Sequence, residues 1–454
     1  MQVRDTLCNP EKCSGDCLDA CKHVHGEDSP LGFSREARRP IINLNTCTEC
    51  LACLRECPFD AIVIATSSGE KSRQSPFALV STRDASTVRP YEVSDDYQRF
   101  PEIDVIFARV YHDPDFSHYT RGIYSDARRM IDKRIPGYGR ADFELGASTW
   151  KLYDNRKQAS ETYDWQKTPA LRSKPSKPDR RKLTKRIKRA AKFLGAALIG
   201  VADLDRRWIY STSIEGDEYI FPEGINRAIV VAIEMDYDLI DTSPAYPAAV
   251  ATARGYSQMA YIEIHLAEFI QRMGYRAISC GNNVALSVPL AIDAGLGQYG
   301  RHGILITKEY GPRVRIAKIL TDMPLIPDRP DAEFCKSVVE FCKACEKCAI
   351  TCPSQSIPYG IDRTWKGMTK SNNPGVKKWF VEPETCYAFW VQNGNDCSNC
   401  IRSCPYNKPN NLLHKFTLWV IQHMPWLNRF VVMMDYLFGF GRQRNPQTVW
   451  AKHD

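Results

Sequence analysis

No export leader is visible in the sequence: MQVRDTLCNP runs straight into cysteines, with no apolar core behind a basic tip. Arg38-Arg39 is a twin arginine by letter alone, because four cysteines precede it and PIINLN follows. Long hydrophobic runs are lacking too. The richest, Phe416 to Phe440, is broken by His423, Pro425, Asn428 and Arg429. It reads as two short amphipathic helices packed on the protein, with surface attachment to a membrane the weaker alternative and no transmembrane segment expected. A diffuse basic surface is absent as well. The formal net charge is +8, yet residues 172–192 carry eleven Lys or Arg and one Asp, so the remainder sums to −2. That distribution predicts no nucleic-acid partner; the segment reads as a solvated linker or, more sharply, a docking site for an acidic protein. These absences point to the cytoplasm, where thiols stay reduced.

Cysteine is what the chain has in excess. Sixteen of its eighteen cysteines fall into four groups of four, paired at the two ends. Near the start stand Cys8, Cys13, Cys17 and Cys21, then Cys47, Cys50, Cys53 and Cys57. Near the end stand Cys342, Cys345, Cys348 and Cys352, then Cys386, Cys397, Cys400 and Cys404. Two runs read C-x2-C-x2-C-x3-C-P, the ferredoxin spacing in which three thiolates wrap one [4Fe–4S] cube and the fourth reaches its neighbour. By this logic Cys47, Cys50, Cys53 and Cys21 hold one cluster, and Cys57, Cys8, Cys13 and Cys17 a second. Cys342, Cys345, Cys348 and Cys404 hold a third, and Cys352, Cys386, Cys397 and Cys400 a fourth. Structural zinc prefers two close pairs, and crowded triplets suit an inorganic core better than disulfides. The chain is built to move single electrons.

With 454 residues, 43% hydrophobic and 25% charged, the chain has room for about three domains. The expected fold class is α/β (α+β): a central mixed-sheet domain flanked by two ferredoxin-like 2[4Fe–4S] units. The division runs 1–66 ferredoxin, 67–179 wrapping segment and linker, 180–330 core, 331–410 second ferredoxin-like unit and 411–454 helical extension. INLNTC and AIVIAT are the short strands of the first unit. In the core, ALIGVAD, AIVVAIEM, YRAIS, GILIT and VRIAKILTD read as strands. Ala248 to Met273 reads as a long helix ending at Gly274, and Val288 to Ala294 as a short one. Gly295, Gly297 and Gly300 match G-x-G-x-x-G, but a helix precedes and a strand follows, the reverse of a dinucleotide site. These glycines read as allowing a tight turn or close approach to a flat cofactor.

The segments GYSQMAY, SCGNN, AGLGQYGRHGILITKEYGPRVRIAKILTDMPLIPDRP, FCKACEKCAITCPSQSI and DCSNCIRSCPYNKPNNLLH resemble the cobalamin-dependent reductive dehalogenases. The resemblance runs from about residue 88 to the end, loosely at first. The first 66 residues depart from it and resemble the ferredoxin domain of ribosome-recycling ATPases of the RNase L inhibitor type. The resemblance implies a base-off cobalamin, which fits the absence of a D-x-H-x-x-G motif to place histidine on cobalt. It implies an organohalide substrate and a soluble low-potential electron donor. It also implies three site residues. Tyr256 would be the proton donor, Arg315 the cation steadying its phenolate, and Asn282 a substrate or halide contact. Asn283 and Arg313 compete with Asn282 and Arg315 at one or two positions' remove, and a core packing role competes for Tyr256.

Cys280 and Cys335 read as buried small hydrophobes, and His265 and His302 as ordinary hydrogen-bonding residues. Trp379, Phe380, Tyr387, Phe389 and Trp390 either wall an apolar pocket, the favoured reading, or pack around the fourth cluster. Two other functions remain open: a corrinoid enzyme resembling the tRNA-modifying epoxyqueuosine reductases, and a polyferredoxin adaptor that reactivates another corrinoid protein.

Overall fold

The segments 198–203, 227–234 and 314–321 are largely apolar and buried at most positions, so both faces of the sheet they form are covered. The structure, a computed structural model, describes residues 2–3, 8, 16–34, 39–43, 47, 52–55, 57, 61–63, 89–159, 173–174 and 178–452. Four strands lie in the order Leu198–Asp203, Arg227–Glu234, Val314–Thr321, Ala277–Ser279. Val201, Ile229, Val231 and Ile319 face one core, closed by Leu183 and Ile187 of helix Arg180–Phe193 and by Met259, Leu266 and Ile270 of the long helix. Ala202, Ala228, Val230 and Leu320 face the other, closed by Trp208, Leu290, Tyr91 and Phe100.

The α+β class holds, but the central sheet is antiparallel in all three of its ladders rather than mixed. Strands buried on both faces read as continuous apolar runs whichever way they pair, so the pattern carried no direction. The long helix spans Tyr246–Arg272, and Gly274 follows in the left-handed region at φ +89°. The short helix is Ser287–Asp293, and GILIT contributes only the two-residue strand Leu305–Ile306, paired with Gln298–Tyr299.

In the N-terminal region, Gln2–Val3 pairs with Ile62–Val63 and Leu31–Ser34 with Arg39–Ile42. AIVIAT thus supplies a strand at Ile62–Val63, and INLNTC contributes Ile42 to one, its residues 44–46 lying outside the described residues. Residues 89–159 drape over the core through helices that include Arg140–Asp154. The C-terminal cysteines sit on and between helices Ala332–Ala344, Lys347–Ile350, Pro383–Asn393 and Asn399–Arg402. Helices Leu412–His423 and Asn428–Leu437 follow, the two expected from the interrupted apolar run. No helix among the described residues is long and apolar enough to cross a membrane.

Candidate iron–sulfur and tyrosine site

Helical periodicity puts Tyr256, Met259, Glu263 and Leu266 on neighbouring positions of the long helix, facing the sheet and the loop after Ser279. That loop delivers Asn282, whose Nδ2 donates to Tyr256 Oη at 2.9 Å. Strand Val314–Thr321 delivers Arg315, whose guanidinium lies 4.8 Å from the centre of the Tyr256 ring and donates to Thr252 Oγ1 at 3.1 Å. The three residues come from three elements and meet at one point. Arg313 and Asn283 are turned elsewhere. Arg313 is buried, donating to Glu234 at 2.7 Å and Asn407 at 2.9 Å, while Asn283 accepts from Arg156 at 3.0 Å.

Several neighbours were not anticipated. Trp150 and Tyr153, from helix Arg140–Asp154, stand 4.7 and 4.9 Å from the Tyr256 ring. The segment read as mere wrapping therefore supplies a wall of the site; two aromatics three residues apart were its only signal. The Asn282 loop is clamped at Gly281, whose N–H donates to Glu263 Oε2 at 2.7 Å and whose carbonyl accepts from Lys318 Nζ at 2.6 Å. Lys318 also donates to Ser287 Oγ at 2.8 Å, and burial holds its ammonium down to about 8. Gly255 was visible in GYSQMAY without a stated role. A Cβ there would stand 2.9 Å from Arg315 Cγ, so the helix tolerates a glycine to admit the arginine.

The G-x-G-x-x-G glycines each lie close against the chain's own atoms. A Cβ on Gly297 would stand 2.1 Å from the Ile306 carbonyl, on Gly295 2.6 Å from that of Arg329, and on Gly300 2.5 Å from His302. His265 is exposed and pairs within its helix to the Tyr261 carbonyl at 2.7 Å. Cys280 and Cys335 are buried, and burial pushes both thiols up to about 12. The favoured common aromatic pocket does not form. Trp379 packs with Cys342 and Cys345, Tyr387 with Val110 and Phe116, and Phe389 with the N-terminal cysteines.

Cys342, Cys345, Cys348 and Cys404 line one small buried cavity together with Arg301 and His302. Arg301 is fully buried and ties the ligand loop down through the carbonyls of Cys342 and Cys345. His302 is buried, its Nε2 unpartnered, and burial holds its imidazole neutral, down to about 3. Burial raises the Cys348 thiol, and Cys345, Cys342 and Cys404 raise it further. Burial likewise raises Cys386, with Cys352, Cys397 and Cys400 adding to it. Cys400, placed by spacing in the other quartet, acts on Cys348 as well, so the eight thiols stand close together, and their division into quartets is the one expected from spacing. The eight thiols are unbridged. Among the described residues no group of three or more His, Cys, Asp or Glu could hold a metal ion directly. A cube asks for a different geometry, since each thiolate meets its own iron around a shared core, and buried crowded thiols gain most from such a core. The donor set fits [4Fe–4S].

In the N-terminal region, Cys17, Cys21, Cys53 and Cys57 share one apolar cluster, with Cys8 and Cys47 against it; Cys13 and Cys50 lie outside the described residues. Phe389 completes this cluster, and Trp390 and Cys397 pack on it. As for a corrinoid, polar atoms left unpartnered and buried include Arg315 Nε and Asn395 Oδ1. Such orphans fit an organic group with a polar rim.

A profile for a 4Fe-4S dicluster domain matches residues 341–408, and one for a 4Fe-4S binding domain matches 40–63. The chain is 32% identical over 420 residues to a tetrachloroethene reductive dehalogenase of Sulfurospirillum multivorans, covering 80% of this chain and 83% of that one. It is 35% identical over 305 residues to a tetrachloroethene reductive dehalogenase of Desulfitobacterium hafniense, covering 58% of this chain and 55% of that one. The solved catabolic reductive dehalogenase NpRdhA, in complex with 3-bromo-4-hydroxybenzoic acid, shares the fold with TM-score 0.63 at 23% identity, over 79% of this chain and 49% of that one. The chain thus spans about half the length of the last two. Fold and cysteine quartets together define an iron–sulfur oxidoreductase. The chain belongs to the reductive dehalogenase family.

Proposed function

We propose that this chain replaces the halogen of an organohalide by hydrogen, using a base-off corrinoid fed by four [4Fe–4S] clusters, with Tyr256 as the proton donor. The reaction takes two electrons and one proton and releases halide. The observation that carries the reading is the meeting of Asn282, Tyr256 and Arg315. Tyr256 Oη accepts the amide hydrogen of Asn282, which leaves its own hydrogen to be directed at a substrate carbon. The phenolate that remains is stabilised by the same amide and by the guanidinium over the ring. Trp150 and Tyr153 crowd the ring and limit water beside it.

When bound, a corrinoid supplies a cobalt centre reducing enough to break a carbon–halogen bond; Arg315 and Asn395 carry free polar atoms to hold its rim. Electrons would enter through residues 1–66 from a soluble low-potential donor. The packing of Phe389, Trp390 and Cys397 on the N-terminal cysteines supports that entry, because it seats the inlet on the helix that carries Cys386. On this reading residues 67–179 wrap, 180–330 cradle the corrinoid, 331–410 hold the two inner clusters and 411–454 extend the chain. Anaerobic expression with corrinoid supplied, followed by cofactor extraction and halide assay, tests it. Bound corrinoid with halide release is expected; clusters without corrinoid, or turnover that needs a tRNA, would overturn it.

A further inference from the structure

Among the described residues, ten of the twenty-four exposed large apolar side chains fall between Leu412 and Phe438. The two helices there anchor through one face only. Leu418 and Ile421 join the core around Phe341, Cys342 and Cys404, with Val431 and Val432 packed against it. The opposite face shows Phe416, Trp419, Trp426, Phe430, Leu437 and Phe438, between 46% and 72% exposed. Phe416 stacks on Trp419 at 6.2 Å and Trp419 on His423 at 5.0 Å, so the ridge is ordered although nothing covers it. A patch this concentrated on a water-facing surface marks an interaction site.

Charge selects the occupant. Lys415, Arg429 and Arg442 are exposed around the ridge. Residues 405–452 contain a single acid, Asp435, which is buried and paired with Lys347 and, at 2.8 Å, with Lys408. Residues 405–452 therefore offer apolar and aromatic side chains rimmed by cations, with no exposed carboxylate of their own; Glu340 of the neighbouring helix Ala332–Ala344 is paired with Lys343 at 2.8 Å. A second copy of the chain would set these cations against themselves across a two-fold contact. Helices of 12 and 10 residues are too short to cross a bilayer but long enough to lie in its plane.

We propose that the face formed by helices Leu412–His423 and Asn428–Leu437 docks on the surface of an anionic lipid bilayer, with the aromatics in the headgroup layer and the cations on lipid phosphates. Docking would bring the cavity of Cys342, Cys345, Cys348 and Cys404 to the membrane side of the protein, since these helices cover it.

The test is flotation of the full-length protein with vesicles of phosphatidylcholine mixed with phosphatidylglycerol, and with phosphatidylcholine alone. The expected result is flotation with the anionic vesicles, reduced about tenfold or more by Trp426→Glu with Phe430→Glu and to a similar extent by Lys415→Glu with Arg429→Glu. Cluster absorbance and sedimentation report that both double variants remain folded. Wild-type protein left unbound by anionic vesicles overturns the proposal, as does equal flotation with phosphatidylcholine alone. So does a concentration-dependent dimer that the Trp426→Glu, Phe430→Glu variant turns to monomer.

Discussion

At the scale of single residues, the proposed chemistry rests on the Tyr256 hydroxyl, which accepts from Asn282 and keeps its own hydrogen to donate. Tyr256→Phe removes that hydrogen and little else, so halide release should fall by about a hundredfold or more while corrinoid and iron contents stay at wild-type levels. Wild-type turnover from a fully loaded variant would end the assignment. Lys318 sets a second expectation. Its folded value near 8 lies below the ordinary 10.5, because burial disfavours the ammonium. Between those values the unfolded chain binds more protons, so this group's contribution to stability is complete above pH 10.5 and is lost as pH falls through 8. Lys318→Met should therefore lack the alkaline rise that denaturant titrations of the wild type show across this window.

Elements bring such residues together only if their backbones approach closely enough. Gly255 lies within the long helix, where glycine costs roughly 0.5–1 kcal/mol relative to alanine. Gly255→Ala should leave the melting temperature unchanged or raised, yet push Arg315 off the Tyr256 ring and lower turnover about tenfold. A Tm and kcat pair from one preparation checks this; unimpaired turnover would mean that the arginine position is immaterial. Gly297→Ala should act oppositely, since the atom it meets is the Ile306 backbone carbonyl at 2.1 Å. It should cost about 2 kcal/mol or more in chemical denaturation, with the corrinoid site affected only through the fold.

For the whole molecule, the expectation concerns which cysteines share a cube. Cys404→Ser should deplete the cluster it shares with Cys342, Cys345 and Cys348, whereas Cys352→Ser should deplete the one with Cys386, Cys397 and Cys400. Iron analysis and electron paramagnetic resonance should show two different signals lost. If both variants lose the same signal, the crossed assignment is wrong. Under that assignment the crossing would matter mechanically, because Cys404 would tie the end of Asn399–Arg402 to Ala332–Ala344 and Cys352 would tie the end of Lys347–Ile350 to Pro383–Asn393.

What could be read directly was whatever depends on intervals along the chain. The cysteine quartets, the strands at 198–203, 227–234 and 314–321, the long helix and the terminal helices all follow from local spacing or period. Tyr256, Asn282 and Arg315 were reachable through resemblance. The pairing direction of the sheet was not legible, because burial on both faces erases the alternation that would mark it. Nor were Trp150 and Tyr153, which reach Tyr256 from a helix more than a hundred residues earlier, or Lys318, which reaches the Gly281 carbonyl from a neighbouring strand. The aromatics at 379–390 looked like one pocket on paper and separate into three cores in space. Ligand spacing is a property of the chain; what a side chain faces is decided by packing.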